Sequence, residues 1–243
     1  MPVAQAEREA IRWGALLLLL FAEIVLFIAL PSTRLISVLE VALAATTLLV
    51  TLSACEVRRH TIRLGYLAGA VAMLLTTAAV FASGATPAFN GVGVVYTLMA
   101  LLFLVTPPAI VRTVMRSSRV TGQTLAGALS AYLVIGLFFA FTYPAVNAWS
   151  SAPFLAQTAS ANTADYVYLS FVTLTTVGFG DLTAGTDLGR ALVVVEALIG
   201  QIYMVTAVAR LVSLYPGRAT DAQQDPAENG PAAASATTDG AEA

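Results

Sequence analysis

Six apolar segments, each near the length that crosses the hydrocarbon core of a bilayer, constrain this chain more than any other feature. They run Trp13–Leu30, Leu35–Ala54, Leu64–Phe81, Val92–Val111, Thr124–Tyr143 and Leu188–Leu211. In hydrocarbon a backbone must satisfy its own hydrogen bonds, so the predicted fold class is an all-α membrane protein with six transmembrane helices. Between the fifth and sixth segments lies a half-apolar piece, Asp165–Thr176, too short to cross and read as a re-entrant helix. Composition agrees: the chain is 58% hydrophobic and 11% charged, with a mean hydropathy of +0.82, far from a soluble globular domain. Arg8 and Arg12 precede the first segment as they would a signal peptide. Its apolar stretch is long and lacks a small-residue cleavage site, so it is read as a spanning helix.

All twelve basic residues are arginine, and their placement sets the orientation. Arg8 and Arg12, then Arg58, Arg59 and Arg63, then Arg112, Arg116 and Arg119, and finally Arg210 and Arg218 fall on one side, the cytosol. Only Arg34 and Arg190 fall on the other, and the loop from Ser83 to Gly91 is uncharged. Both termini are therefore expected in the cytosol of a multi-pass protein of the cell's inner (plasma) membrane. The net charge of −2 comes with no basic face, so nucleic acid is not an expected partner. The single cysteine, Cys55, excludes an intrachain disulfide and reads as a buried or reduced thiol. Residues 1–12 are expected to form a cytosolic N-terminus. The tail from Pro216 to Ala243, rich in Ala, Pro, Gly, Thr and acids, is expected to be a disordered cytosolic segment with no GxGxxG or fused regulatory domain. No metal-ligand spacing, nucleophile elbow or phosphate loop occurs, so neither an enzyme nor a cofactor is expected. His60, among loop arginines, reads as a solvated residue rather than a pH sensor.

The run Thr175-Thr176-Val177-Gly178-Phe179-Gly180-Asp181 follows the re-entrant piece and precedes the last long segment. Gly178 and Gly180 can adopt φ > 0, so successive carbonyls can turn toward one axis. Thr176 adds a hydroxyl at the inner end, and Val177 and Phe179 are expected to pack behind the strand and hold it open. This run resembles the selectivity filter of potassium channels, in which backbone carbonyls replace the hydration shell of the ion. One strand cannot surround an ion, and no second such motif occurs. Each chain would supply one quarter of a ring, with three further copies and membrane lipid as partners and K⁺ as the permeant ion.

From about Leu125 to Tyr215 the chain resembles the pore module of bacterial six-transmembrane-helix potassium channels: outer helix, pore helix, filter, inner helix. The resemblance implies ion coordination by Thr176, Val177, Gly178 and Phe179, filter support from Thr175, and an outer mouth at Gly180 and Asp181. Phe179 stands where the family usually has tyrosine. The resemblance also makes Tyr168 a candidate hydrogen-bond donor to Asp181, against simple interfacial anchoring. Tyr166, Tyr168 and Phe171 read first as a packing cuff. Gly200 matches the inner-helix glycine treated as a gating hinge, the alternative being close helix packing. Glu196, on the outer half of the last segment, is expected either to brace the filter through Thr173, Thr175 or a backbone amide as a protonated acid, or to face the cavity as an anion. Gln201 and Thr206 are candidate cavity-lining residues.

Residues 13–121 thus read as a four-helix sensor-like domain with an interfacial linker, and residues 122–215 as a pore domain. A voltage sensor needs arginines at every third position within its fourth helix, and Val92–Val111 has none. Arg112, Arg116 and Arg119 follow Pro107-Pro108 and are expected in the linker as cytosolic anchors. Glu23 and Glu40 stand where a sensor keeps countercharges, with no partner evident for Glu23. The implied function is passive, potassium-selective conduction without steep voltage gating. The alternatives are a potassium transporter or channel-like subunit, or a weakly selective cation channel.

Overall fold

The computed structural model describes residues 3–30, 34–55, 59–82, 91–116 and 121–213. The tail from Pro216, the loop 83–90, Arg58, Arg119 and Arg218 lie outside the described residues, as do the side chains of Arg8, Arg34, His60 and Arg116. Seven helices follow in order: α1 (Val3–Ala29), α2 (Arg34–Ala54), α3 (Arg59–Ala82), α4 (Gly91–Arg116), α5 (Gly122–Trp149), α6 (Thr163–Leu174) and α7 (Asp187–Ser213). No strand occurs among the described residues, which hold one isolated bridge between Leu155 and Ala184.

Among the described residues four helices are long and apolar enough to cross a membrane: Arg12–Ala29, Gly91–Val114, Gly122–Trp149 and Asp187–Ser213. The apolar stretches of α2 and α3, Val38–Ser53 and Gly65–Ala78, are shorter than that, although the helices themselves run 21 and 24 residues. At 1.5 Å per residue, the 12 residues of α6 span roughly 18 Å, about half a bilayer.

The linker expected after Val111 is helix as far as Arg116. α4 continues through both prolines to Arg116, so Arg112 lies on its last turns with an exposed side chain. Proline at 107 removes the N–H that would bond the Phe103 carbonyl one turn back. The hydroxyl of Thr106 donates to that carbonyl at 2.9 Å, which repairs the ladder where hydrocarbon could not.

One apolar core joins the first four helices to α5, with Leu16, Leu20, Phe27, Met99, Phe103 and Phe141 among its members. Phe141 of α5 is its aromatic centre: Phe27 meets it edge-on at 4.9 Å, and Phe103 stacks on it at 5.6 Å. Two hydrogen bonds extend the tie, Trp149 Nε1 to Thr97 Oγ1 at 3.0 Å and Tyr96 OH with Thr163 Oγ1 at 2.9 Å. A second core of Ile135, Phe139, Tyr143, Phe154, Tyr166 and Leu174 packs α6 against α5 and the outer loops.

Buried polar groups in α1–α4 are only partly satisfied. Thr47 donates to Glu23 Oε1 at 2.7 Å, which supplies the partner that sequence alone does not reveal, while Glu23 Oε2 has none. Glu40 is likewise buried.

Candidate functional site

The site is built at the C-terminal end of α6. Asn162 starts that helix with a capping box: its side chain accepts from the Asp165 amide at 3.0 Å, and Asp165 Oδ2 accepts from the Asn162 amide at 2.9 Å. The helix stops at Leu174, two residues short of the expected end, with Thr175 as C-cap. The Thr175 hydroxyl turns back to the Phe171 carbonyl at 2.6 Å, so it bonds its own helix rather than Glu196.

Beyond Thr175 the backbone leaves regular structure in an alternating way. Thr176, Gly178 and Gly180 all have positive φ, at 59°, 53° and 79°. Glycine accepts this region freely, but a β-branched residue there is an outlier of about 1–3 kcal/mol. Alternation of left-handed and ordinary residues turns consecutive carbonyls to one side of the strand. The amides of Val177 and Gly178 are held by the Val172 carbonyl at 3.0 and 3.2 Å, and that of Thr176 by the Thr173 carbonyl at 2.9 Å. Amides are thus tied back into α6, while no described residue donates to the carbonyls of Thr176, Val177, Gly178 or Phe179. The result is a row of unpartnered acceptors at the negative end of a helix, an arrangement that favours a cation.

Leu174, the last residue before this row, is clamped. Tyr132 OH of α5 donates to its carbonyl at 2.8 Å. A Cβ on Gly136 of α5 would stand 3.2 Å from Leu174 Cδ2 and 2.8 Å from the Phe171 ring. A Cβ on Gly200 of α7 would stand 2.7 Å from Leu174 Cδ1 and 3.1 Å from its carbonyl oxygen. α7 runs unbroken through Gly200, whose neighbourhood is therefore that of a close-packing glycine.

At the outer end, Tyr168 OH donates to Asp181 Oδ2 at 2.7 Å. That bond holds the Asp181 carboxyl below the usual aspartate value. The loop after Asp181 is stitched to the loop before α6: the Ala156 amide donates to the Thr183 carbonyl at 2.9 Å, the Gly185 amide to the Phe154 carbonyl at 2.7 Å, and Gln157 Nε2 to Thr183 Oγ1 at 2.8 Å.

Glu196 is fully buried, and its hydrogen-bond partners are neither Thr173 nor Thr175. Its Oε1 is 2.5 Å from Ser170 Oγ of α6, and its Oε2 accepts from Tyr143 OH of α5. Ser170 Oγ also donates to the Gly136 carbonyl at 2.7 Å. Sequence reasoning missed Ser170, Tyr143, Tyr132 and Gly136. The signal was depth: a buried acid halfway along the outer part of α7 requires hydroxyl donors on the helices beside it, and Ser170 and Tyr143 are such hydroxyls.

One expectation fails within the single chain. Val177 and Phe179 do not pack behind the strand, being 52% and 70% exposed. Gln201 and Thr206 are both exposed on α7, roughly 140° apart at 3.6 residues per turn. Tyr166 is buried against Phe154, whereas Tyr168 and Phe171 are half-buried.

Residues 127–215, spanning most of α5 through the end of α7, match the family model described as an ion channel. That match supports an ion-channel function. With its apolar helices, it makes this a membrane protein. No curated protein and no solved structure matches the chain.

Proposed function

We propose that four copies of this chain form a passive potassium-selective channel, with K⁺ dehydrated by the carbonyls of Thr176, Val177, Gly178 and Phe179. The observation that carries this reading is the alternating left-handed backbone at 176, 178 and 180, with the carbonyls between left unpartnered. Non-helical backbone at membrane depth is tolerated only against protein or a water-filled cavity. A single chain leaves this strand bare, so a ring of chains accounts for both the free carbonyls and the exposed Val177 and Phe179. α7 fits the same picture: only Gly189, Glu196, Gly200 and Ala207 are buried, on one stripe, while Val194, Leu198, Val205 and Val208 stand exposed on the opposite side.

In this reading all six long helices cross the plasma membrane with both termini in the cytosol. Four α6 C-termini point at the ion from the inner side, and the Tyr168–Asp181 pairs rim the outer mouth. Arg112 stands exposed on the last turns of α4, two residues from the end of the apolar stretch Gly91–Val114, a place that supports an anchor rather than a gating charge.

Purified protein in liposomes should pass potassium far faster than sodium and be blocked by barium, and its mass in detergent should equal four chains. Equal potassium and sodium flux through intact four-chain particles would refute selectivity, and a monomer in every mild detergent would refute the ring.

A further inference from the structure

Three oxygen–oxygen contacts meet behind the filter: Tyr143 with Glu196, Glu196 with Ser170 at 2.5 Å, and Ser170 with the Gly136 carbonyl at 2.7 Å. Each needs one proton between its oxygens. The Gly136 carbonyl can only accept, so the single Ser170 hydroxyl proton lies on that contact. One proton cannot serve two lines this short, since a hydrogen bond weakens steeply as it bends. Tyr143 supplies the proton on its own contact. The contact between Ser170 and Glu196 then has no hydroxyl proton left, and its proton must come from the carboxyl group.

We infer that Glu196 is a neutral carboxylic acid whose Oε1–H donates to Ser170, completing a directional chain Tyr143 → Glu196 → Ser170 → Gly136. The chain crosses from α5 to α7 to α6 and back to α5. It makes the protonation of one carboxyl the condition for Ser170 to hold the inner helix and the Gly136 carbonyl of α5 at the same time. The surroundings fit a neutral acid. From α5 the groups nearby are the Tyr143 and Tyr132 phenols, from α6 only the Ser170 hydroxyl, and on α7 no charge lies within a turn. No arginine pairs with Glu196, and the one ion pair seen among the described residues, Arg190 with Asp187, is exposed at the start of α7. An unpaired carboxylate so placed would be costly, whereas the acid form has every polar atom used.

Loss of the proton reverses the chain. Ser170 then has to turn its hydroxyl to Oε1, and the Gly136 carbonyl gives up its side-chain donor. The packing of α6 on α5 at Gly136, where the Phe171 ring leaves no room for a methyl group, loses its polar latch. Glu196 is thus a positioning residue for the filter, acting through Ser170, with a proton as its ligand. This deepens the conduction reading, because the latch would govern the same strand, but the assignment of the proton stands independently of ion flux.

Infrared spectroscopy of the intact protein reads that proton. The difference between wild type and Glu196→Gln at neutral pH should show loss of one protonated-carboxyl C=O band per chain, with no change in the carboxylate bands. Glutamine reproduces the donor and acceptor pattern of the neutral acid, so the variant should retain the wild-type melting temperature. Ser170→Ala should keep the band and move it to higher frequency, because the acid loses its acceptor. A difference spectrum showing a lost carboxylate instead, or a band that Ser170→Ala leaves in place, would overturn the inference. A protein that shows the band and passes no ions would refute the conduction reading alone.

Discussion

Replacing Gly200 by alanine separates a packing glycine from a hinge. The added Cβ would stand 2.7 Å from Leu174 Cδ1, 3.3 Å from Leu174 Cγ and 3.1 Å from the Leu174 carbonyl oxygen. The side-chain conflict can be relieved only by moving Leu174, which is 1% exposed and already bounded by Gly136 on its other flank. Overpacking of this kind costs about 1–3 kcal/mol. The helix itself gains about 1 kcal/mol from glycine to alanine, leaving a net loss of up to about 2 kcal/mol per chain. The displacement passes directly into Thr175 and Thr176, so ion discrimination should fall along with thermal stability. A second substitution provides the control. Leu174→Ala alone opens a cavity and should cost about 2–5 kcal/mol. In the double variant the new methyl group occupies part of that cavity, so the two losses should fall short of additive by about 0.5–3 kcal/mol. The assays are thermal unfolding in detergent and the potassium-to-sodium flux ratio in liposomes. A Gly200→Ala protein with wild-type stability and flux would refute the clamp. Strictly additive losses would refute the shared space and leave backbone bending as the role of Gly200.

Gly178→Ala should abolish flux in a folded protein: nothing lies within 4 Å of its new Cβ, so the cost is the left-handed φ of 53° itself, about 1–2 kcal/mol in each chain. Wild-type conduction from that variant would contradict the carbonyl row. The Tyr168 bond lowers the folded pKa of Asp181, so the stability it contributes is complete above the ordinary aspartate value and is lost as pH falls through the lowered one. Tyr168→Phe should therefore shift acid-induced loss of flux to higher pH, and identical acid profiles would remove Asp181 from the filter's support. Open probability should depend only weakly on voltage, because each gating charge is worth about 2.3 kcal/mol per 100 mV and the apolar stretch 92–111 contains none. A steep conductance–voltage curve would bring Arg112 into the field.

What was legible in the sequence was whatever a local rule determines. Hydropathy over some twenty residues marks a helix that water cannot explain, and a Gly-x-Gly pair announces a backbone that must reach positive φ. The bond between Tyr168 and Asp181 was a candidate only through the resemblance of this stretch to a channel pore module. Nothing local announces that Thr176 also takes φ 59°, since a β-branched residue resists that region and adopts it only when flanking contacts impose it. Hydropathy ends the fourth segment at Val111 and does not announce that α4 runs on to Arg116 after Pro107-Pro108. Proline is a breaker until a neighbouring hydroxyl replaces its lost bond, and Thr106 is recognisable as that replacement only in three dimensions. The partners of Glu196 lie 26 and 53 residues away, on helices whose relative rotation a hydropathy pattern leaves open.

The packing of the first four helices bears on what they do. A sensor that moves charge across the membrane must slide or rotate against the pore module, so its interface has to be loose enough to give. Here Phe27, Tyr96 and Phe103 converge on Phe141 of α5, and Trp149 and Thr163 are hydrogen-bonded to Thr97 and Tyr96 of α4. Moving α4 by one turn would break an aromatic cluster in a close-packed core and two polar contacts at once, with no arginine between Val92 and Val111 for the field to act on. The Tyr96–Thr163 bond also lands on the first residue of α6, beside the capping box that starts that helix. Those contacts suit a fixed buttress, holding α5 and the start of α6 in place while the carbonyl row beyond Leu174 keeps its strained backbone.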